Sequence, residues 1–261
     1  MRAVGLGRTR PDRATDARGQ YTRTGDKGTT GLYSGERRDK DDPIFEALGC
    51  IDELNASVGL AVEFLEQEAR LAEKRDERDR NRDRALAGTA QLGRQLEIVM
   101  SLLFDAGAAV ATPRDSATVS ESRLRRTAFD AGHVARLEGW IDEMDAQLEP
   151  IKRFILPSGG LSASQLHMAR TLARASERRV WTLVKAGHTD ESVGRWLNRL
   201  SDYLFVAARF SCKVNGGREK FWQLAPRLQR SDDEDEEEAE QRSSSTTASA
   251  SAATAGGGGK A

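Results

Sequence analysis

The sequence predicts an all-α fold, a bundle of roughly five helices. Three observations predict it. Apolar residues recur at three- and four-residue steps through several long segments. No alternation of period two survives over a useful length. Glycine and proline stand where helices of those lengths should stop. No repeat of fixed period interrupts this pattern.

The elements follow in order. Residues 21–43 contain glycine, threonine and charge and end at Pro43, so a long loop is expected. Loops of this length in compact domains are functional or unfolded. Residues 44–66 read as a helix, because Phe45, Leu48, Ile51, Leu54, Val58, Ala61 and Leu65 fall on one face. Residues 67–86 are dense in mixed charge, which fits a solvated helical extension or a flexible insert. Helical spacing returns over 89–110 and ends at Thr112-Pro113. Residues 113–129 read as polar connection, and 130–148 as a helix closed by Pro150. The turn-rich stretch Phe154–Gly160 leads into a helix at 162–186. Ser162 and Gln165 have capping-box spacing, and Gly187 is placed to end that helix. A last helix is expected over 191–215, stopping at Asn215-Gly216-Gly217.

Composition narrows the classes. The chain has 261 residues, with 40 Lys and Arg against 41 Asp and Glu, a net charge of −1. That total hides two biased ends. Residues 1–20 carry five arginines against two aspartates, a net of +3. Residues 230–261 carry eight acids against three basic residues, a net of −5. The intervening body is +1. The acidic run, the Ser/Thr/Ala stretch and the closing glycines read as a disordered tail. The first 20 residues read either as a transit-like segment, against which Asp12 and Asp16 count, or as a disordered end. Two cysteines, Cys50 and Cys212, argue against a disulfide-stapled fold or a zinc cluster. No apolar run approaches the roughly 20 residues that span a bilayer. Neither a membrane nor a nucleic acid is expected as a partner.

Three places can carry chemistry. On the helix at 162–186, Arg170, Arg174, Glu177 and Arg178 share one side, with His167 and Trp181 beside them. Three arginines in two turns repel each other unless an anion compensates them, and Glu177 cannot balance all three. Guanidinium forks suit phosphate oxygens, although charged faces are more often merely solvated. On the last helix, Arg195, Asn198, Asp202, Phe205 and Arg209 share an arc. An aromatic among polar groups sets that arc apart from an ordinary ion-paired face. In the loop Tyr21–Gly31, glycines let backbone N–H groups approach an anion, and Arg23, Lys27 and the threonines add donors. The Walker spacing is absent. Asp52 and Glu53, adjacent on the first helix, point about 100° apart and do not converge as a catalytic pair. Asp52 could hold a surplus arginine across the bundle, or be an ordinary exposed acid. The histidines read as structural or exposed, and the cysteines as small core residues.

Taken together, these segments resemble the PduO-type ATP:cob(I)alamin adenosyltransferases, with the human mitochondrial enzyme among the family's members. The stretches that carry the resemblance are Tyr21–Gly31, Ser34–Asp42, Phe45–Leu54, Phe154–Gly160, His167–Arg179 and Leu197–Tyr203. They stand in the family's order and cover roughly 21–229. The resemblance implies a ferritin-like five-helix bundle that forms a homotrimer, with active sites between subunits. It implies ATP, Mg2+ and reduced cobalamin as ligands, and adenosylcobalamin and triphosphate as products. It implies a reductase and an adenosylcobalamin-dependent mutase as partners. The mitochondrial matrix is the expected location, or the cytoplasm in a bacterium.

The same resemblance assigns residues. Thr22, Arg23, Thr24, Gly25, Lys27, Thr30, Gly31 and Lys40 belong to the nucleotide loop. Arg174, Glu177, Arg178 and Asn198 match ATP-contacting helix positions, with Ala175 and Ser176 between them. Arg170 matches an arginine that pairs across the subunit boundary with the carboxylate at Asp52. Phe154 matches the aromatic that displaces the lower cobalt ligand, and Phe205 matches a wall of the corrin pocket. The sequence departs from the family at Ala175, where a second arginine is usual, and at Ser176, where alanine is common. Arg179 lies on the far side of the helix and is a poor substitute. Two other classes stay open: a non-catalytic cobalamin carrier, suggested by Ala175, and a helical interaction protein using the acidic run Asp232–Glu240.

Overall fold

The computed structural model describes residues 23–74 and 80–224. The chain divides into two units, Met1–Phe221 and Trp222–Ala261, and the fold described here is that of the first. Residues 1–20, the charged stretch 75–79 and the acidic tail lie outside the described residues, as do Tyr21 and Thr22.

Among the described residues of this unit there are six helices: α1 (Pro43–Glu73), α2 (Arg80–Val110), α3 (Glu121–Arg126), α4 (Gly132–Asp145), α5 (Leu161–Lys185) and α6 (Glu191–Val214). The five long ones match the expected bundle. Helix α5 packs against both α1 and α6, α1 packs on α2, and α4 and α2 pack on α6. The core uses the periodic positions. Leu54, Val58, Leu65, Leu92, Leu96, Leu166 and Val180 are fully buried or nearly so. Trp196 and Tyr203 of α6 are the largest fully buried side chains. The Tyr203 hydroxyl donates to Gln95 Oε1 at 3.1 Å, whereas Trp196 Nε1 is buried without a hydrogen-bond partner among the described residues.

Local chemistry sets the helix ends. Asp42 caps α1 by accepting from Ile44 N at 2.8 Å, with Pro43 in the first turn where no N–H is needed. Asp190 caps α6 by accepting from Ser192 N at 2.9 Å. Gly187 terminates α5 with a positive φ of 79°, and His188 N returns to Leu183 O at 3.0 Å.

Of the two readings of the charged segment after residue 66, the helical extension holds on both flanks, as the last turns of α1 and the first of α2. The structure corrects several other expectations. The polar connection contains the short helix α3, capped by Ser120. Two small antiparallel ribbons also form, β1 (Thr29–Gly31) with β2 (Arg37–Asp39), and β3 (Ile155–Leu156) with β4 (Lys220–Phe221). Strands of two or three residues are too short to show alternation. The capping box at Ser162 and Gln165 does not form. Helix α5 starts at Leu161 after Gly160, whose φ of 120° favours glycine. Ser162 is therefore already inside the first turn. Its N–H donates to Glu68 Oε1 of α1 at 3.2 Å, and its hydroxyl meets Glu68 and Ser211. Gln165 instead donates to Ser57 Oγ at 2.8 Å. A carboxylate from another helix thus replaces the local cap and complements the positive end of α5.

Candidate functional site

The ribbon β1–β2 holds the glycine loop in shape. Arg37 is the key residue. One nitrogen of its guanidinium donates to Thr24 O at 2.7 Å, Thr29 O at 3.0 Å and Thr29 Oγ1 at 2.7 Å. The turn between them is closed by Gly28 N donating to Gly25 O at 3.2 Å and Lys40 N donating to Gly28 O at 2.9 Å. Arg23 adopts a left-handed φ of 52°, which is uncommon for a residue with a Cβ. The Lys40 side chain lies over Gly25, where an added Cβ would meet its Nζ at 3.5 Å. The expected residues Arg23, Thr24, Gly25, Lys27, Thr30, Gly31 and Lys40 therefore share one compact turn and ribbon.

That ribbon is tied to the rest of the fold at its far end. The Glu36 carboxylate accepts from Arg38 Nε at 2.8 Å and from Ser116 Oγ at 2.8 Å. These bonds, led by that from Arg38, hold its carboxyl below the ordinary value. Arg123 donates to Ser34 O at 2.7 Å, with its guanidinium 5.8 Å from the Tyr33 ring centre.

Helix α5 presents the arginine face. Arg174 is exposed and has no carboxylate partner among the described residues. Arg178 donates only to the backbone oxygen of Arg174, at 3.1 Å. Glu177 is spent on Asn198 of α6, whose Nδ2 donates to it at 3.0 Å. The carboxylate that lies closest in sequence to the arginines thus forms no ion pair with any of them among the described residues. Ala175 is half-buried. Ser176 is fully buried and donates back to Leu172 O at 3.0 Å. Its side chain does not join the arginine face, because position 176 falls on the core side of the helix. Arg179 points to Glu46 at 3.9 Å, away from the face, as its angular position requires.

Arg170 is half-buried, and its Nε is buried without a hydrogen-bond partner. Its guanidinium lies 5.9 Å from the Phe205 ring centre. Phe205 also meets the His167 ring, at a centroid distance of 5.9 Å. His167 is only 3% exposed, and burial, then the charge of Arg170, push its imidazole below the ordinary value. It belongs to this wall, beside the arginines as its helical position predicts, and it is a buried structural histidine. Asp52 is exposed on α1, and no ion pair joins it to Arg170 within the chain among the described residues. It lines a groove of about 290 Å³ with Tyr33, Phe104 and Asn55. Asn55, unnoticed in the sequence, is buried there with its Oδ1 unpartnered. Phe154 stands at the entry to β3 and is 81% exposed. Arg209 departs from the arc expected for α6. It is 4% exposed and is held by Glu219 at 2.9 Å.

The arrangement offers guanidinium donors without ion pairs, a preformed glycine turn, an exposed Phe154 and a half-buried Phe205. Among the described residues no group of three or more His, Cys, Asp and Glu side chains could hold a metal.

Comparison with known proteins gives consistent matches. The family model for cobalamin adenosyltransferase matches residues 20–211. The corrinoid adenosyltransferase MMAB of Mus musculus is 43% identical over 203 residues, covering 78% of this chain and 76% of the relative. The Bacillus subtilis corrinoid adenosyltransferase is 41% identical over 189 residues, covering 72% of this chain and 84% of the relative. Among solved structures, a variant PduO-type ATP:corrinoid adenosyltransferase from Lactobacillus reuteri, complexed with cobalamin and ATP, superposes with a TM-score of 0.63. It is 30% identical, and the match covers 80% of this chain and 99% of that one.

Proposed function

We propose how these residues work from one premise: the chain belongs to the cobalamin adenosyltransferase family and is a corrinoid adenosyltransferase, transferring the adenosyl group of ATP to cobalamin. In the proposed reaction the cobalt of cob(I)alamin attacks the 5′ carbon of ATP. A Co–C bond forms, the C5′–O bond breaks, and its electron pair leaves with triphosphate. No protein base is required. The protein must hold two large reactants in line and stabilise the charge that grows on the leaving group.

The residues divide that labour. The turn from Arg23 to Gly31, with Lys40 and the preceding Thr22 of the motif, holds the phosphates by backbone N–H groups, hydroxyls and ammonium charge. Arg174 and Arg178 meet the triphosphate, and the Glu177–Asn198 pair fixes the rim beside them. Mg2+ arrives with the phosphates and needs few ligands from the protein. Phe154 occupies the lower face of the corrin in place of a fifth ligand, and Phe205 with His167 forms a wall. A cob(II)alamin without that ligand is easier to reduce to the nucleophilic state.

Arg170 and Asp52 pair between subunits of a homotrimer. What supports this is that Arg170 Nε is buried without a partner while Asp52 is exposed without one. Residues 21–229 form the catalytic domain, flanked by a disordered or transit-like N-terminal segment and an acidic tail. The Arg-rich start and the likeness to animal relatives support a mitochondrial matrix location, and the bacterial relatives support a cytoplasmic alternative. No helix among the described residues is long and apolar enough to cross a membrane. A reductase would supply cob(I)alamin, and a mutase would take the product.

The observation that carries this reading is the unneutralised Arg174 on an otherwise ordered helix face. The spectrophotometric adenosylation assay tests it. With ATP and cob(I)alamin under strong reductant, adenosylcobalamin should accumulate, and no turnover would overturn it. One observation favours a second reading, a non-catalytic carrier: Ala175 removes a guanidinium from the face. Tight adenosylcobalamin binding without turnover would select it.

A further inference from the structure

The two-residue ribbon β3–β4 positions Phe154, yet a ribbon that short has no stability of its own. Phe154, at 81% exposure, has little packing to hold it either. Its place must be inherited from whatever anchors the ribbon. On one side Ile155 pairs with Phe221, and Leu156 with Lys220. Lys220 N donates to Ser158 Oγ at 2.9 Å, and that hydroxyl donates to Leu156 O at 2.9 Å. The Arg153 guanidinium lies 4.5 Å from the Phe221 ring centre.

The anchor is Arg209. Its Nε donates to Glu219 Oε1 at 2.9 Å, and its terminal nitrogen donates to Glu149 O at 2.6 Å. Asp145 lies 3.9 Å away on the same guanidinium. Arg209 thus joins α6, the segment after α4, and the residue immediately before β4. Burying an arginine is costly and is seldom the cheapest way to gain stability. The chain crossing below it is also tight. A Cβ at Gly217 would sit 2.4 Å from Gly159 O, and one at Gly159 would sit 2.7 Å from Cys212. The strap from Gly216 to Phe221 is therefore pressed against the loop that follows Phe154.

We propose that Arg209, acting through Glu219 and β4, is a positioning residue that sets the ring of Phe154 against the lower face of the corrin. This rests on the adenosyltransferase reading above. It places Arg209 outside the contacts with either substrate. Its effect should therefore appear in the step that Phe154 serves and not in ATP binding.

The test uses the full-length protein carrying Glu219→Gln, which keeps the side-chain shape and removes the charge. Turnover should fall about tenfold or more when cob(II)alamin and a mild reductant are supplied, the scale on which misplacement of a reacting group is felt. It should fall less than about twofold with preformed cob(I)alamin, and KM for ATP should not move. The absorption and EPR signature of four-coordinate cob(II)alamin should diminish in the ternary complex. In a Phe154→Ala background, Glu219→Gln should cost nothing further. Equal losses from both cobalt states, or losses that add to those of Phe154→Ala, would overturn the proposal. If Glu219→Gln does not fold by circular dichroism, Ser158→Ala carries the same prediction and the same overturning outcomes. Absence of turnover in the unaltered protein would instead count against the adenosyltransferase reading itself.

Discussion

Two adjacent helices use arginine in opposite ways. On α6, Arg195 pairs with Glu191 at 2.8 Å, Arg199 with Glu138 at 3.0 Å and with Asp202, and Arg209 with Glu219. On α5, Arg170, Arg174 and Arg178 have no carboxylate among the described residues. The chain is rich in acids, so the difference is not one of supply. Glu177 sits among the α5 arginines and is drawn off by Asn198 instead. An arginine face left without ion pairs in an acid-rich chain marks where an anion is received. A paired arginine marks structure.

Breaking the free face should give the largest effect. Arg174→Ala removes a charged donor from the leaving group, so turnover in the adenosylation assay should fall about 100- to 1000-fold. Its thermal midpoint should barely change, because the side chain is exposed and unpaired. Breaking the paired face should act first on stability, with turnover touched only where Arg209 and Glu219 position Phe154. Arg209→Met strands Glu219 and should cost about 3 kcal/mol of stability in urea unfolding. Arg199→Ala on the same helix removes two surface pairs, to Glu138 and Asp202, and should cost less than Arg209→Met, about 1 kcal/mol.

The smallest effect sharpens the comparison through pH. His167 is buried beside Arg170 on the free face, and Glu219 alone opposes that charge weakly. Its folded-state value lies below the ordinary 6.5. As pH falls below 6.5, the unfolded chain takes up a proton that the folded one resists. Stability is therefore fully present above that value and declines below it. The thermal midpoint should drop between about pH 7 and pH 5, and His167→Gln should flatten that slope.

Much of this was legible in the sequence, for physical reasons that differ by element. The helices were readable because a 3.6-residue period repeats over many turns, and Gly187 because a positive φ selects glycine. The arginine face was readable because one helix carries all of it. Arg37 was not, because its acceptors at Thr24 and Thr29 are reached only when the chain doubles back into a ribbon. The apparent capping box at Ser162 misled because it is a local pattern, and it could not show that Glu68 of α1 would arrive at the same N–H. Arg209 shared an arc with Asn198 and Phe205 by angle alone. Only packing against the segment after α4 turned it inward.

The borrowed cap at the start of α5 has a consequence for the order of folding. Ser162 is bonded by Glu68, 94 residues earlier, and Asn215 Nδ2 donates to the same carboxylate at 2.7 Å. The first turn of α5 is thus completed by groups from near both ends of the bundle. Contacts so distant carry a loop-closure cost that is repaid only when the bundle closes. The Phe154 end of α5 should therefore fold late, with the rest of the helix formed before it. A chain emerging from the ribosome would carry its arginines in place before it could seat the aromatic that the chemistry also requires.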